Sequence, residues 1–385
     1  MTAPFPFSKF LDARWMRAGW ARAGGRSFDA LANVHGTRSG GRGCGRRGVQ
    51  LRALWATVAV VAVAAGCSSG SPAGAPSEES SVSGLGDAGP TISARSDGAG
   101  ATGSGDRKIV VMAAGDVACD PANTAGNEAG RRGEGDVCRH FATAALIEAQ
   151  APDAVLALGD LQYELGLADA FERSYDPTWG RFKDITYPVP GNHEYGSGGQ
   201  GYFEYFGARA GEPGKGWYSF DLGDWHFLAI NSNCGAVGGC GPDSPQYRWI
   251  VEDLTAREAE CTVAYWHHPR FSSGLHGDDA QLGPIWELLY DNGVDLVLTG
   301  HDHNYERFAP MDASGAGADG GMRSFVVGTG GKDLRPMGKL HSTSEAHNTE
   351  AAGVLKLELG DGSYRWEFLP VPGESYHDSG QGRCR

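Results

Sequence analysis

The sequence predicts an α/β fold with two sheets and helices on the outside of both. One observation is the alternation of strand and helix patterns over 109–190, at spacings that favour a mainly parallel sheet. Another is the change to hairpin patterns at 217–230 and 354–369, which favour antiparallel pairing. The third is that residues able to bind metals follow several of the predicted strands. Because open α/β sheets bind ligands at the carboxyl ends of their strands, these residues predict one metal site there.

The first half of the folded region supplies the parallel strands. Ile109–Ala114 and Ala154–Leu158 are apolar runs bounded by turn residues, as is typical of buried strands. Between them, residues 139–150 have the apolar spacing of a helix, and a second helix is expected at 167–173. Residues 187–190 then lead into the next polar cluster. This strand–helix–strand order predicts the core of the first sheet.

The second half of the chain mixes hairpins with strands and helices. A hairpin is predicted at 217–222 and 225–230, with Gly223-Asp224 at the turn. The later elements are a helix at 244–257, a strand at 261–266, a helix at 281–292, strands at 296–299 and 324–327, and a hairpin joining 354–359 to 364–369. Two sheets with helices outside them is the simplest assembly of these elements.

Five polar clusters stand after these strands or beside them. They are Gly115-Asp116, Gly159-Asp160 with Tyr163 three residues later, Gly191-Asn192-His193-Glu194, His267-His268-Pro269 and Gly300-His301-Asp302-His303. Carboxylates, a carboxamide and imidazoles are ligands that suit iron, manganese or zinc. Two such ions about 3.5–4 Å apart can activate a water and hold a phosphoryl group for in-line attack. No Walker loop or Gly-x-Ser-x-Gly elbow in the sequence offers a competing chemistry.

These motifs, in this order, resemble those of the calcineurin-like metallophosphoesterase superfamily, and specifically its purple acid phosphatase-like branch. The similarity runs from Asp116 to His303, and 305–307 and 328–331 are also similar to the family. It implies a four-layer α/β/β/α sandwich with two mixed sheets. It also implies dinuclear metal-dependent hydrolysis of a phosphate-ester substrate, with monoesters preferred, by a metal-bound hydroxide and without a covalent phosphoenzyme.

The resemblance implies a role for each matching residue. The implied metal ligands are Asp116, Asp160, Tyr163, Asn192, His267, His301 and His303. Asp160 would bridge both metals, and the Tyr163 phenolate would select Fe(III) at the first site, with Zn, Mn or Fe(II) at the second. His193 would orient the substrate or protonate its leaving oxygen, and His276 is the candidate for its partner.

The sequence departs from the family pattern at two places. The first motif lacks the x-Gly of the branch and also the histidine of the wider superfamily at position 118, which favours Tyr163 as the replacement ligand. Ala264 stands where the fourth motif has valine, so either His267 or His268 can be the ligand. Pro269 favours His267, because the family has His-x-Pro there, and His268 is then a histidine packed behind the site.

Two other functions stay open from the sequence. A phosphodiesterase acting on nucleotides or phospholipid head groups would use the same motifs. A non-catalytic phosphate- or metal-binding lipoprotein would keep the ligands without turnover, but all seven presumed ligands and His193 are present, which argues against it. The glycine-rich segment 328–331 is either a backbone cradle for phosphate or a tight turn after a strand.

The first 66 residues predict an exported protein. An apolar run at 56–65, shorter than a membrane span, is followed by small residues, as in a secretory signal. Ala64-Ala65-Gly66-Cys67 resembles the lipobox of bacterial lipoproteins, which implies a lipid on Cys67 and anchoring to the outer face of the cell membrane. An ordinary signal peptide would instead give a secreted protein. Arg46-Arg47 leaves twin-arginine export open, and Val49 is a candidate for the true start.

Residues 67–106 are predicted to be a flexible linker and residues 107–385 the catalytic domain. The linker is rich in Ser, Gly, Ala and Pro and has no aromatic residue, so it cannot bury enough apolar surface to fold. After residue 66, 23 of the 33 basic and 45 of the 47 acidic side chains remain, a net charge of about −22. Such a surface repels polyanions, so nucleic acid is not expected as a main partner.

The cysteines beyond position 67 are expected to form disulfides, as in other exported chains. The pairs that proximity in the sequence supports are Cys119–Cys138 and Cys234–Cys240, which leaves Cys261 and Cys384. Six cysteines allow fifteen pairings, so only the two short-range pairs have support of their own.

Overall fold

A computed structural model of the chain describes residues 108–124, 138–257 and 259–385. The predicted signal segment 1–66 and the linker 67–106 lie outside the described residues. Across the part that is described, no helix is both long and apolar enough to cross a membrane.

The described residues form thirteen strands and seven α-helices. The strands are β1 (Ile109–Ala114), β2 (Ala154–Leu158), β3 (Thr186–Val189), β4 (Tyr218–Leu222), β5 (Trp225–Ala229), β6 (Cys261–Tyr265), β7 (Leu296–Thr299), β8 (Tyr305–Phe308), β9 (Arg323–Val327), β10 (Ser344–Asn348), β11 (Gly353–Gly360), β12 (Ser363–Pro370) and β13 (Ser379–Arg383). The helices are α1 (Pro121–Thr124), α2 (His140–Gln150), α3 (Ala168–Ala170), α4 (Asn192–Tyr195), α5 (Gln200–Phe206), α6 (Pro245–Ala256) and α7 (Gly283–Asp291).

Both sheets are mixed, as the sequence predicts. The first has the strand order β13-β12-β11-β1-β2-β3, in which β1, β2 and β3 are parallel and β11 to β13 are antiparallel. The second has the order β10-β8-β9-β7-β6-β5-β4, with β5, β6, β7 and β9 parallel. Helices cover the outer faces, so the α/β/β/α sandwich is confirmed.

The alternation of side chains along the second sheet explains its two-sided burial. In β6, Val263 and Tyr265 belong to the core between the two sheets, whereas Ala264 joins the core beneath α6 and α7. In β7, Leu298 faces the inter-sheet core and Val297 faces the helices. Because successive strand residues point to opposite faces, a strand buried on both faces is apolar throughout. These runs are therefore continuous rather than alternating in polarity.

Most predicted elements are present, and the differences have physical reasons. The helix expected at 167–173 is only one turn of α-helix, Ala168–Ala170, which continues as a π-helix over Phe171–Tyr175. Strands β8, β10 and β13 have no strong apolar signal in the sequence. β10 and β13 are edge strands, and their side chains are mostly partly or fully exposed. An edge strand with solvent on one face does not need the apolar run by which a buried strand is recognised.

Three disulfides are present, Cys119–Cys138, Cys234–Cys240 and Cys261–Cys384. The two short-range pairs predicted from the sequence are confirmed. The third fastens the end of β13 to the start of β6 and so joins the last strand of one sheet to a central strand of the other. That pairing depends on the tertiary structure, because its cysteines are 123 residues apart.

Candidate metal centre

The two sheets contact each other where their parallel strands end, and the polar clusters lie at this contact. The Gly115 N–H, after β1, donates to Val327 O at the end of β9 (2.9 Å). His267 Nδ1, after β6, lies 2.8 Å from Leu158 O at the end of β2. The ring packs so closely that a side-chain carbon at Gly159, whose φ is +84°, would lie 2.6 Å from His267 Nδ1. Glycine is required there by both the conformation and the space.

Backbone strain is concentrated at the predicted ligands. Four non-glycine residues of the described chain have positive φ, and three of them are Asp116 (60°), Asp160 (50°) and His301 (71°). The left-handed region costs a non-glycine residue on the order of 1 kcal/mol or more, and such residues cluster at functional sites. Each of the three turns directly after a strand, so the strain aims its side chain back toward the contact between the sheets.

His267 faces more hydrogen-bond acceptors than its ring protons can serve. Its Nδ1 faces the carbonyl oxygen of Leu158, which can only accept, so Nδ1 carries a proton. Nε2 then faces three other atoms, each 3.2 Å away: Asp160 Oδ2, Asn192 Oδ1 and His301 Nδ1. Two of these are oxygens without a proton. One Nε2 proton cannot serve three such atoms, so this spacing fits a cation that takes the place of the proton.

A second group of acceptors lies around Tyr163. His303 Nδ1 is 2.6 Å from Asp333 O and therefore protonated, which leaves Nε2 as an acceptor 3.0 Å from the Tyr163 hydroxyl. The same hydroxyl is 2.9 Å from Asp116 Oδ1 and 3.3 Å from Asp160 Oδ2. One hydroxyl proton cannot satisfy three acceptors. Asp160 contributes to both groups, so its position suits the bridging role that the resemblance implies.

Without a metal, His267 and Tyr163 hold protons that a bound cation would displace. Burial lowers the pKa of His267, but the Asp160 carboxylate outweighs burial and raises it to about 9. Burial, together with the nearby Asp116 and Asp160 carboxylates, raises the pKa of Tyr163 well above its usual value. Burial and the neighbouring His267 lower the pKa of His301, so this ring is neutral. Metal binding requires deprotonated ligands, so loading this site would release protons from His267 and Tyr163.

His267 and His268 differ in depth. His267 is fully buried and offers an atom to both compact groups of ligand atoms, one with Asp116 and Asp160 and the other with His268 and His301. His268 belongs only to the second, and its Nδ1 lies 2.8 Å from Ser232 Oγ. The geometry therefore favours His267 as the ligand, in agreement with the His-x-Pro pattern.

A family model described as calcineurin-like phosphoesterase matches residues 110–305 of the chain. The chain belongs to this family. Purple acid phosphatase 15 of Arabidopsis thaliana is 32% identical over 194 residues, covering 40% of this chain and 36% of the plant protein. Acid phosphatase type 7 of Homo sapiens is 30% identical over 187 residues and covers 41% of each chain. The chain therefore matches less than half the length of these relatives.

The fold also resembles a solved structure. The purple acid phosphatase PPD1 from yellow lupin, Lupinus luteus, superposes with a TM-score of 0.55 at 20% sequence identity, covering 71% of this chain and 53% of the lupin chain. At this level of identity the similarity concerns the fold alone. A phosphoesterase fold does not by itself give an activity, so the function has to be argued from the site.

Glu194 is a positioning residue of this phosphoesterase domain to which sequence reasoning gave no role. Its two carboxylate oxygens accept from the backbone N–H groups of Asp160, Leu161, Gln162 and Gly191, at 2.8–3.1 Å. Burial and the Asp160 charge raise its pKa to about 7. One buried carboxylate thus fixes the loop of Asp160 against the loop of Asn192. An acidic residue in the first turn of a helix was the only sequence signal.

Asp302 and Glu306 play the same part for the loop that carries His276. The His276 N–H donates to Asp302 Oδ1 (3.0 Å), and Ser272 Oγ–H donates to Asp302 Oδ2 (2.5 Å). Ser273 donates both its N–H and its hydroxyl to Glu306, at 2.8 and 2.6 Å. Both carboxylates are buried. They hold residues 272–276 beside the histidine cluster although the loop has no regular structure.

His276 lies against His301, with ring centroids 4.2 Å apart, and Arg335 Nη1 donates to its Nε2 at 2.9 Å. Its expected partnership with His193 stays a prediction, and the side-chain contact that the structure shows is with Arg335. The Arg335 N–H also donates to His303 O (2.9 Å), so the guanidinium lies beside the site. Arg335 lies four residues beyond the family-like segment 328–331, and the sequence analysis assigned it no role.

The segment 328–331 makes hydrogen bonds within the protein. The Gly328 N–H donates to Asn304 O (3.0 Å), and the Gly330 N–H donates to Gly115 O (2.9 Å). The Thr329 hydroxyl donates to Gly353 O (2.8 Å). Two of the four backbone N–H groups of the segment are thus used within the protein, which favours the turn over the phosphate cradle.

Proposed function

We propose that this protein hydrolyses phosphate monoesters with two metal ions held at this site. The observation that carries the proposal is the surplus of acceptors around His267 Nε2 and the Tyr163 hydroxyl, each within 3.3 Å of three other ligand atoms. Such a surplus is costly in a buried site unless cations are bound. Membership of the calcineurin-like phosphoesterase family supports the same chemistry.

The residues fit two adjacent cations. Asp116, Tyr163 and His303 would hold the first, Asn192, His267 and His301 the second, and Asp160 would be shared. A phenolate favours Fe(III) at the first position, while nitrogen and oxygen donors at the second suit Zn, Mn or Fe(II). When bound, the two ions polarise the phosphoryl group and activate a water for in-line attack.

His193 is placed to donate a proton. Its Nδ1 donates to Glu164 O (2.7 Å), and its N–H donates to Asp160 Oδ1 (2.9 Å), so the ring is fixed from two sides. Nε2 lies 3.8 Å from Asp160 Oδ2, beyond hydrogen-bond distance, and the side chain is 26% exposed. Nε2 therefore faces the space where a substrate would lie. In its protonated form it would transfer a proton to the leaving oxygen.

His276 and Arg335 would bind the phosphoryl group from the other side. Because a guanidinium only donates, Nε2 of His276 accepts and its Nδ1 is an N–H donor. The Arg335 side chain is 34% exposed and carries further N–H groups. A fixed positive charge stabilises a monoester dianion more than a diester monoanion. This is the reason for preferring monoesters.

The test is hydrolysis of p-nitrophenyl phosphate and of bis(p-nitrophenyl) phosphate by the same purified sample, together with its metal content. We expect about two metal ions per chain and a higher kcat/KM for the monoester. A higher kcat/KM for the diester would assign the phosphodiesterase function instead. Bound metal without turnover of either ester would assign the non-catalytic binding function.

The iron assignment has a spectroscopic test. A phenolate bound to Fe(III) absorbs visible light, so the wild-type protein should be coloured and Tyr163→Phe should bleach it. Tyr187→Phe is the matched control, because Tyr187 is also mostly buried but packs on Phe220, with ring centroids 3.7 Å apart. A colourless, fully active wild type that contains only zinc or manganese would contradict the iron assignment.

We also propose that the protein works outside the cell, attached to the membrane by a lipid on Cys67. The three disulfides support export, because such bonds persist in oxidising compartments. Wild-type protein should partition into detergent, and Cys67→Ala should release it. A wild-type protein that is wholly soluble, with its N-terminus elsewhere, would contradict the lipid anchor.

A further inference from the structure

Four exposed leucines lie on loops that carry or contact residues of the candidate metal centre. Five large hydrophobic side chains are exposed among the described residues, and only Val251, on α6, lies away from the loops of the site. The other four are Leu165 (49%), Leu167 (45%), Leu275 (60%) and Leu340 (43%). Single exposed hydrophobic residues are ordinary, but four on the loops around one polar site are not. We call these four residues the leucine rim.

Leu165 and Leu167 are fixed on the His193 side. They flank Gly166, whose N–H donates to Gln162 O (3.0 Å). A side-chain carbon at Gly166 would lie 2.7 Å from Glu194 Cα, so this turn lies directly on α4. Glu164, the residue before Leu165, is paired with Lys332 Nζ at 2.8 Å, which neutralises the nearest charge. This part of the rim is therefore a rigid apolar edge.

Leu275 and Leu340 are fixed beside His276. Leu275 directly precedes His276 in the loop that Asp302 and Glu306 hold. The segment of Leu340 is fastened to the same loop, since Gly338 N–H donates to Ser273 O (2.6 Å) and His341 N–H donates to Ser273 Oγ (2.8 Å). The two pairs of leucines thus flank the two histidines that would handle the substrate.

We infer that the substrate is a phosphate ester whose leaving group carries a hydrocarbon chain, and that the leucine rim binds this chain. The inference rests on the proposed function and specifies the substrate class for the same site. The leaving oxygen must lie near His193, so its attached carbon chain emerges beside Leu165. A protein bound permanently over the rim would block the phosphate from the metals, whereas the chain of a substrate does not.

A homologous series of n-alkyl phosphates tests this inference. The leaving alcohols from ethyl to octyl differ little in acidity, so a change of kcat/KM along the series reports contact with the chain. A fully buried methylene is worth about fourfold in affinity, and a half-buried one about twofold. We expect kcat/KM of the wild type to rise about twofold per methylene, at concentrations below micelle formation.

The variants that test the rim are Leu165→Ser and Leu275→Ser, alone and together. We expect the ratio of kcat/KM for octyl over ethyl phosphate to fall about tenfold in the double variant. Val251→Ser is the matched control, because Val251 is 39% exposed on α6 and should leave both the ratio and the ethyl phosphate rate unchanged. Circular dichroism and metal content of each variant show whether the variant is folded and loaded.

Three outcomes would overturn the inference. A wild type that hydrolyses ethyl and octyl phosphate equally well has no chain site, while the proposed function stands. Turnover of neither ester, with p-nitrophenyl phosphate also inert, removes the proposed function and the inference with it. Binding to phosphatidylcholine vesicles that needs the leucines, without any chain-length dependence in solution, would make the rim a membrane contact and not a substrate site.

Discussion

Two buried histidines of this protein, His226 and His267, lie beside carboxylates. They differ in whether the hydrogen-bond donors around the ring match the acceptors in number. His226 Nδ1 lies 2.6 Å from Asp221 Oδ1, and its Nε2 lies 2.7 Å from Asp253 Oδ2. Arg257 donates to Asp221 (2.5 Å), and the Ser219 hydroxyl donates to Asp253 (2.7 Å). As an imidazolium, His226 gives one proton to each carboxylate. The group links β4, β5 and α6, and each of its two carboxylates accepts hydrogen bonds from donors within the group.

His267 also lies beside a carboxylate, with Asp160 Oδ2 at 3.2 Å, but its donors and acceptors are not matched in this way. One of its nitrogens is used by Leu158 O, and the other faces Asp160, Asn192 and His301 at once. Burial and a nearby carboxylate are common to both histidines, so neither feature marks a metal centre. What distinguishes the metal site is that a single nitrogen, His267 Nε2, faces three atoms that can each accept a hydrogen bond. The His226 group stabilises the fold by itself, and the His267 group needs a ligand.

The largest expected effect comes from removing the shared acceptor of the site. Asp160→Asn should release metal and lower kcat/KM by about 10³–10⁴-fold, because metal-ion stabilisation of the transition state is worth several kcal/mol. The metal-free variant should be less stable than the metal-free wild type, since it loses the ion pair between Asp160 and His267. Metal analysis, kinetics and urea unfolding measure these three quantities. Full metal content with full activity would break the comparison.

Asn192 and His193 are adjacent in the sequence, but substituting them should affect metal content and rate in different ways. Asn192→Ala removes an oxygen beside His267, so metal content at the second position should fall together with the rate. His193→Ala leaves all seven proposed ligands in place, so metal should stay bound while kcat falls by about 10²–10⁴-fold. The loss should be largest for substrates with poor leaving groups. If His193→Ala lost its metal instead, His193 would have to be counted as a ligand.

Glu194 extends the comparison, because both of its carboxylate oxygens accept hydrogen bonds from backbone N–H groups. Glu194→Gln replaces one oxygen with an NH2 group that faces backbone N–H groups, either those of Leu161 and Gln162 or those of Asp160 and Gly191. We expect metal affinity and kcat/KM to fall by about 10–100-fold, as for other residues that orient ligands. Glu204→Gln is the matched control on exposed α5 surface. Equal kinetics in the two variants would show that Glu194 does not position Asp160.

The smallest expected effect on activity comes from His226→Gln. This change should cost about 1.5–3 kcal/mol of unfolding free energy near pH 6, because it removes the charged hydrogen-bond partner of half-buried Asp253, and activity per folded molecule should not change. Burial lowers the pKa of His226, but Asp253 and Asp221 outweigh burial and raise it. A raised pKa stabilises the fold fully below about pH 6.5 and loses this effect as the pH rises through the folded-state pKa.

The stability difference between wild type and His226→Gln should therefore shrink in alkaline solution. On the acid side, burial raises the pKa of Asp253, but His226 outweighs burial and lowers it. That contribution is present above about pH 4 and is lost as the pH falls through the lowered pKa. The urea concentration at half-unfolding, measured for the wild type and His226→Gln from about pH 3 to pH 10, reports both the alkaline and the acidic change in this difference. A pH-independent difference would show that His226 is not an imidazolium in the folded protein.

The sequence determined which residues meet at the site, because strand periodicity places Asp116, Asp160, Asn192, His267 and His301 just after buried strands. The carboxyl ends of parallel strands lie at one edge of a sheet, so order along the chain becomes proximity in space. The two short disulfides follow from the same local reasoning.

Only the tertiary structure decided which residues hold these ligands in place. Glu194 acts through backbone N–H groups of another loop, and Arg335 reaches His276 across 59 residues of sequence. Likewise, burial beside a carboxylate does not separate His226 from His267, since it is common to both. A local pattern encodes burial and the direction of a side chain, whereas the balance of donors and acceptors depends on every loop that converges on it.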